Sequence, residues 1–505
     1  MRQKRFLSRA LSLGIYTLIL RAVNTVFGIW MSNTVGAEGT GLFQLVSSVY
    51  FLAVTLSTSG VTIAVTRIVS EQLAKGSPAG ARKAFRLGLL FSLILGVAAS
   101  FLLFFAAPAA AAYWLCDPRA EIPLRIFSVG LPFLSTASVI RGYFLGQQRT
   151  GLSVNGDMAE QLVVIAVTIP LVTALLPRGL TSVCIAMVIG SVAAEILSCL
   201  YALFLCVCFR LKKEGQIEKG IGRRLVSITL PVAIGNNIRA MLTAIENVLT
   251  PSGLRKNGAA ADEALSQYGI VKGMVWPVLM LPSVLLTPFA SLLVPEVSAA
   301  AATGDKKRVR TMTHRCLKAT LLYAFFIAGL LFSFADPLCA VFFPKVQAAE
   351  YVRALCPLIP LLYLDQIVDS ILKGLNQQVA SMKYNMADAV MRVLLVLFLV
   401  PVSGMRGWLF MLYVGTVFNA SMSAARLIKV SRVAIDWRRW LLQPLASIVL
   451  SCTVSALLIE NAVVGVLFSF AAYLLLLFVL GSITRRDLSF FLHLSQNTRK
   501  KKIKA

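Results

Sequence analysis

RIFSVGLPFLSTASVIRGYFLGQQRTGLSVNGDMAE, from Arg125 to Glu160, and RALCPLIPLLYLDQIVDSILKGLNQQVASMKYNMAD, from Arg353 to Asp388, decide the reading of this chain. A shift of 228 residues lays one on the other without a gap. Arg125 and Arg353 then coincide, as do Pro132 and Pro360, Gly146 and Gly374, Ser153 and Ser381, Met158 and Met386, and the acidic pair Glu160 and Asp388. Each stretch is an apolar run, a polar bend and the start of a second apolar run. The chain is therefore duplicated, and its two halves begin on the same side of whatever the runs cross. Parallel duplications of this kind are a mark of transporters that hold a substrate between halves.

The runs cross a membrane. Of 505 residues, 58% are hydrophobic and only 14% charged. The mean hydropathy is +0.79. Ordinary cores cannot hide that much apolar surface, so spans set the architecture. Runs of about 20 apolar residues recur near 9–32, 42–66, 85–112, 122–146, 159–177 and 180–209. A second set lies near 226–250, 269–297, 316–342, 353–374, 387–403 and 407–427, and two more near 441–459 and 463–482. The expectation is an all-α polytopic membrane protein of about fourteen helices, two six-helix lobes plus a C-terminal pair. Its parts are an N-terminal lobe (1–215), a C-terminal lobe (216–435), the helix pair (436–482) and a basic tail (483–505). The basic start MRQKRFLSRA leads into a run too long for a signal peptide, which reads as a retained first span.

Net charge is +27. The basic residues sit in short segments between runs, as membrane orientation requires. They need no nucleic acid; anionic lipid headgroups suffice as partner. The densest clusters, RLKKEGQIEKGIGRR (210–224), GDKKRVRTMTHR (304–315), the stretch 426–439 and the tail RKKKIKA, all fall on one side. Both termini are therefore expected in the cytoplasm, in the plasma membrane. The nine cysteines include no CxxC pair and read as small core residues. Both histidines, His314 and His493, lie outside the runs, which speaks against a zinc site or histidine relay in the membrane. No metal or cofactor is expected, and no segment between runs is large enough for a soluble catalytic domain.

Charges inside the runs are the candidate functional residues, because a charge at a span centre costs roughly 2.5–3.5 kcal/mol on insertion scales. Arg21 and Arg239 are nearly central in corresponding first spans. Lys272 opens the eighth span, and Arg67 closes the second, where a long side chain can snorkel. Arg141 lies three turns into its span. Glu246 stands seven residues after Arg239, on the same helix face, and reads as its counter-charge. Asp365, Asp369 and Lys373 form one stripe at i, i+4 and i+8. The stripe is either a proton or sodium coupling site or, the favoured reading, an internal Asp369–Lys373 pair. Asp388 is a further coupling candidate through its place in the repeat. A cationic chamber selects an anion, and a planar guanidinium suits a diphosphate. An apolar surround suits a lipid tail. STSG (57–60), Pro231, Pro277, Pro282, Pro288, Pro357 and Pro360 are candidate helix breaks.

VGAEGTGLFQL, LSTSGVTIAV and TRIVSE before residue 72, with YGIVKGMVWPVLMLPSVLL and LLVPEVSAAAATGD from Tyr268, resemble one family. It is the polysaccharide flippases of the stage V sporulation protein B type, in the multidrug/oligosaccharidyl-lipid/polysaccharide exporter superfamily, related to MurJ-type lipid II flippases. The resemblance covers nearly the whole chain. It implies fourteen helices, two six-helix lobes around a cationic cavity, alternating access, and a polyprenyl-diphosphate-linked saccharide moved from inner to outer leaflet. The last helix pair is expected to help form a groove for the lipid tail. Arg21 occupies the family's basic position of the first span, Arg67 the one closing the second, and Lys272 a position where MurJ-type members have arginine. The family usually has a further arginine where this chain has Gly28, which puts lipid II itself in doubt as cargo.

The expected function is export of a polyprenyl-diphosphate-linked oligosaccharide for cell-envelope or spore-cortex construction, with Arg21, Arg67, Arg239 and Lys272 on the diphosphate. Envelope-synthesis enzymes are the expected protein partners, and membrane potential, protons or sodium the expected drive. A drug/cation antiporter would instead need an acidic cavity. A non-transporting scaffold would tolerate neutralisation of the buried arginines. An integral glycosyltransferase would need an acidic catalytic cluster at a membrane face, and none is convincing.

Overall fold

A computed structural model describes residues 2–209, 220–344, 348–434, 436–459 and 461–482. The tail 483–505 with His493, and most of the basic segment 210–224, lie outside the described residues. Every regular element among the described residues is helical. In chain order the helices are α1 (Arg2–Thr58), α2 (Val61–Ala74), α3 (Pro78–Ala109), α4 (Glu121–Gly146), α5 (Thr150–Leu175), α6 (Leu180–Cys208), α7 (Ile221–Lys256), α8 (Ala261–Gly269) and α9 (Trp276–Met280). They continue as α10 (Leu286–Ala302), α11 (Lys306–Ser333), α12 (Ala335–Phe342), α13 (Ala349–Leu355), α14 (Ile359–Gly374), α15 (Gln378–Ser431), α16 (Gln443–Leu458) and α17 (Ala462–Val479).

Ten helices among the described residues are long and apolar enough to cross a membrane, and Val463–Val479 is a shorter apolar helix. Two of the ten, Ile19–Ala74 and Gln378–Ser431, run to 56 and 54 residues. At 1.5 Å per residue each measures about 80 Å along its axis, well over twice a hydrocarbon core of about 30 Å. Both are interrupted by glycine. Gly36 (φ 82°, ψ 176°) breaks α1 and Gly404 (φ 56°, ψ −133°) breaks α15, each in backbone that a side chain would strain. Gly60 (φ 81°) separates α1 from α2 inside the STSG stretch.

The chain divides into two compact units. The first comprises Ala22–Gly273 with Val393–Gly407; the second comprises Met274–Arg392, the described residues from Trp408 onward and those before Ala22. Within the first unit, α3 is built in reverse of a soluble helix. Gly88, Ser92 and Gly96 form its buried stripe at a spacing of four, while Leu90, Ile94, Phe101, Leu102 and Phe105 are exposed. Large side chains outside and small ones inside suit a helix in lipid, where close backbone approach rather than hydrophobic burial drives association. The stripe meets α2 at Val65 and α4 at Ser135, whose carbonyl accepts from Ser92 Oγ at 2.7 Å.

Within the second unit, Pro282 interrupts the helix, and a 3₁₀ turn runs over Pro282–Leu285. Tyrosines satisfy backbone carbonyls around it. Tyr363 donates to Leu279 O and Tyr323 to Pro282 O, both at 2.7 Å. Such repair is required in lipid, where water cannot serve. The C-terminal pair α16–α17 docks on α11: Ile448, Cys452, Tyr473 and Leu477 pack with Leu322 and Phe326, and Tyr473 donates to Leu322 O at 2.8 Å.

The duplication is visible in each unit separately. Gln148 and Asn376, 228 residues apart, both take a left-handed conformation (φ 60° and 57°) at the bend after α4 and α14. Their amides close the same turn, Gln148 N on Leu145 O and Asn376 N on Lys373 O. A Cβ on Gly146 would meet Thr66 O at 2.8 Å, and one on Gly374 would meet Val294 O at 3.0 Å. Thr66 and Val294 are themselves 228 apart, so the same two-helix crossing is made twice. All nine cysteines are unbridged, and six are buried.

Candidate functional site

The two motifs that carry the family resemblance meet in the first unit. Gly41 of VGAEGTG and Gly269 of YGIVKG stand where backbones touch: a Cβ on Gly269 would lie 2.1 Å from Ala37 O, and one on Gly41 2.1 Å from Leu265 O. This contact seats the broken middle of α1 against the end of α8. Beyond Gly269 the backbone widens into a π-helical turn over Ile270–Val275, a form that is frequent at functional sites. Lys272 lies in that turn. Its Nζ is 3.4 Å from Oε1 of Glu246, a buried carboxylate of α7. Glu246 therefore faces Lys272, and not Arg239 as the spacing along α7 suggested.

Arg239 is exposed on α7 between the exposed apolar residues Ile234, Ile238 and Met241. No hydrogen-bond or ion-pair partner for it is seen among the described residues. Arg67, with 63% of its side chain exposed, pairs with Glu71 at 3.0 Å on the same helix. Glu71 also takes Arg224 of α7, so Arg67 belongs to a small cluster where α2 ends. Arg21 is exposed on α1 in the portion that groups with the second unit.

Arg141 joins α4 to α5. Its Nη1 lies 2.5 Å from Asp157 and 3.4 Å from Glu160, and Ser198 of α6 donates to Glu160 at 3.1 Å. Arg141 and Asp157 line a cavity of about 380 Å³ with Thr58, Thr62 and Ser138. The repeat puts Asp369 at the position of Arg141 and Asn385 at that of Asp157. In the second unit Asp369 accepts from Ser381 Oγ at 2.6 Å, in place of the expected bond to Lys373. Asn419 reaches Asp365 at 3.0 Å and Asn385 at 3.3 Å. Asp388 holds Arg392 Nε at 2.9–3.0 Å. Both units thus tie the helix before the bend to the helix after it, one with an arginine and one with an aspartate.

Two clusters escaped the sequence reading. Tyr50 of α1 donates to the buried carboxylate of Glu195 on α6 at 2.5 Å, and its ring stacks on Phe127 of α4 at 4.0 Å. A Cβ on Gly130 would stand 2.0 Å from Glu195 Oε2, so a side chain there would push the carboxylate aside. Arg119 gathers Glu38 and Asp117, both at 2.8 Å, and Asp262 at 3.5 Å. The acidic residue of VGAEGTG was the available signal for that cluster, but its partner is 81 residues away. No group of three or more metal-ligating side chains is found among the described residues.

A polytopic helical chain, duplicated, broken at glycines and carrying charges inside its spans has the architecture of a membrane exporter. Comparison with solved structures agrees. A multidrug resistance MATE family transporter of the MOP superfamily, in an inward-facing conformation, superposes with a TM-score of 0.69 at 15% identity, over 84% of this chain and 100% of the other. Lipid II flippase MurJ, in an inward closed conformation, gives 0.68 at 13% identity, over 95% of this chain and 99% of the other. The sequence matches the polysaccharide biosynthesis protein family over residues 6–301 and the MatE family over 258–398. The chain belongs to the polysaccharide biosynthesis protein family, within the superfamily that also holds the MATE transporters. Stage V sporulation protein B of Bacillus subtilis (strain 168) is 27% identical over 88% of this chain and 87% of that protein.

Proposed function

We propose that this protein moves a polyprenyl-diphosphate-linked oligosaccharide from the inner to the outer leaflet by alternating access. Arg239 carries the reading. An exposed guanidinium flanked by Ile234, Ile238 and Met241, with no partner among the described residues, cannot sit against lipid at acceptable cost. It calls for water and an anion. Charge-assisted bonds from a planar fork suit a phosphate group, and the apolar neighbours suit the lipid that follows it. Arg21, Arg67 and Lys272 are the other basic positions proposed for the diphosphate, with Arg67 at the cytoplasmic gate. Arg67 and Lys272 are already paired with carboxylates, Glu71 and Glu246, so their contribution is the smaller.

Both termini are proposed to face the cytoplasm, and the membrane is proposed to be the plasma membrane. An inside-negative potential then helps, since one negative charge moved outward gains about 2.3 kcal/mol per 100 mV. Family membership and the similarity to stage V sporulation protein B support an envelope or spore-cortex saccharide, with enzymes of its synthesis as partners. The test is translocation of a fluorescent undecaprenyl-diphosphate oligosaccharide in proteoliposomes. Arg239→Ala should abolish it in a protein that remains monodisperse. Undiminished translocation by that variant would make Arg239 structural and end the proposal for this site.

A further inference from the structure

We infer that the Arg141 cavity of the first unit binds the saccharide of the cargo, separately from the groups that hold its diphosphate. The inference rests on the function proposed above. Charge decides against a phosphate occupant. The single guanidinium of Arg141 already faces two carboxylates, Asp157 at 2.5 Å and Glu160 at 3.4 Å, so the cluster has no positive field to spare. A diphosphate there would meet net negative charge.

The lining suits a neutral, hydroxyl-rich group. Thr62 and Ser138 share one hydrogen bond at 2.7 Å, which leaves one hydroxyl proton and several lone pairs unspent. Thr58 gives its proton to Val54 O at 2.8 Å and keeps its lone pairs. Asp157 adds a partly exposed acceptor. Val54, Leu134 and Leu145 complete the wall and offer an apolar surface to the C–H face of a sugar ring. Donors, acceptors and an apolar floor together describe a saccharide better than a bare cation, which would use only the carboxylates. The volume of about 380 Å³ is near the lower end of ligand pockets, enough for a sugar unit but not for a whole lipid-linked cargo.

Duplication supplies an internal comparison. The second unit has Asp369 and Asn385 in place of Arg141 and Asp157, and Asp369 turns to Ser381. The Arg–Asp pair of the cavity therefore belongs to the first unit and is not a by-product of the shared architecture. In the orientation proposed above, the α4–α5 bend is cytoplasmic, which puts the cavity where a headgroup made in the cytoplasm arrives.

The experiment measures binding of undecaprenyl diphosphate, with and without a disaccharide headgroup, to the full chain in detergent. Wild type should bind the sugar-bearing lipid about tenfold tighter, or about 1.4 kcal/mol. Thr62→Val combined with Ser138→Ala should erase that factor and leave affinity for the sugar-free lipid unchanged. Leu134→Trp, which fills the cavity without touching a charge, should do the same. Equal wild-type affinity for the two lipids, or an equal loss for both in the variants, overturns the inference and leaves the proposed function standing. Displacement of the sugar-bearing lipid by tetraphenylphosphonium with no sugar preference would make the cavity a cation site instead. If wild type binds neither lipid, the proposed function fails and this inference fails with it.

Discussion

Gly269→Ala is the sharpest structural perturbation available. The new Cβ would lie 2.1 Å from Ala37 O, 2.7 Å from Gly41 N and 3.0 Å from Gly41 Cα. These are backbone atoms, so no rotamer change relieves them. Reaching an acceptable separation moves α8 from α1 by about 1 Å, and overpacking of this kind costs roughly 1–3 kcal/mol. Alanine in place of glycine gives back up to about 1 kcal/mol of helix propensity. The clash wins, because it falls on three backbone atoms of α1 at once. Gly28→Ala is the control, since nothing lies within 4 Å of its Cβ; it should be neutral or slightly stabilising. Thermal unfolding of the purified protein in detergent, followed by tryptophan fluorescence, separates the two. Gly269→Ala should melt several degrees lower, and it should also weaken diphosphate binding because Lys272 moves with its turn. A Gly269→Ala protein as stable as wild type would refute the close contact between the two motifs.

Three other outcomes follow from the same geometry. Tyr50→Phe removes the 2.5 Å bond to buried Glu195 and should destabilise the protein by about 1–3 kcal/mol in denaturant titration, with Glu195→Gln milder because it still accepts. Arg119→Ala leaves Glu38, Asp117 and Asp262 without their shared cation and should cost about 1–3 kcal/mol, partly recovered in Arg119→Ala/Asp117→Ala; strict additivity of the two changes would contradict the network. Arg67→Ala should change stability by less than about 1 kcal/mol, because its pair with Glu71 is mostly exposed, yet it should slow translocation; unaltered transport would remove Arg67 from the gate.

The membrane class and the duplication were legible because both are written in long-range composition and register. Arg125 to Glu160 and Arg353 to Asp388 align without structure, and the left-handed pair Gln148 and Asn376 then falls at the same offset. Breaks were only partly legible. STSG and Pro282 announced themselves, whereas Gly36 and Gly404 sit among other glycines and gave no distinct signal. Partner choice was the least legible. The i, i+7 spacing on α7 placed Glu246 beside Arg239, but Lys272, 26 residues on, reaches it from the π-helical turn after α8. The i, i+4 rule likewise offered Lys373 to Asp369, and the bend brought Ser381 nearer. Helical spacing ranks neighbours on one helix and says nothing of the helix packed against it.

Charge preference of translocation in proteoliposomes under an inside-negative potential is the measurement on which an anionic cargo stands or falls. Three cargoes share one prenyl tail and one disaccharide and differ only in the linker: diphosphate, neutral ether or quaternary ammonium. The diphosphate cargo alone should move outward, more slowly when the potential is collapsed and not at all in Arg239→Ala. Equal movement of all three, or preference for the cationic cargo, would contradict the proposed anionic cargo.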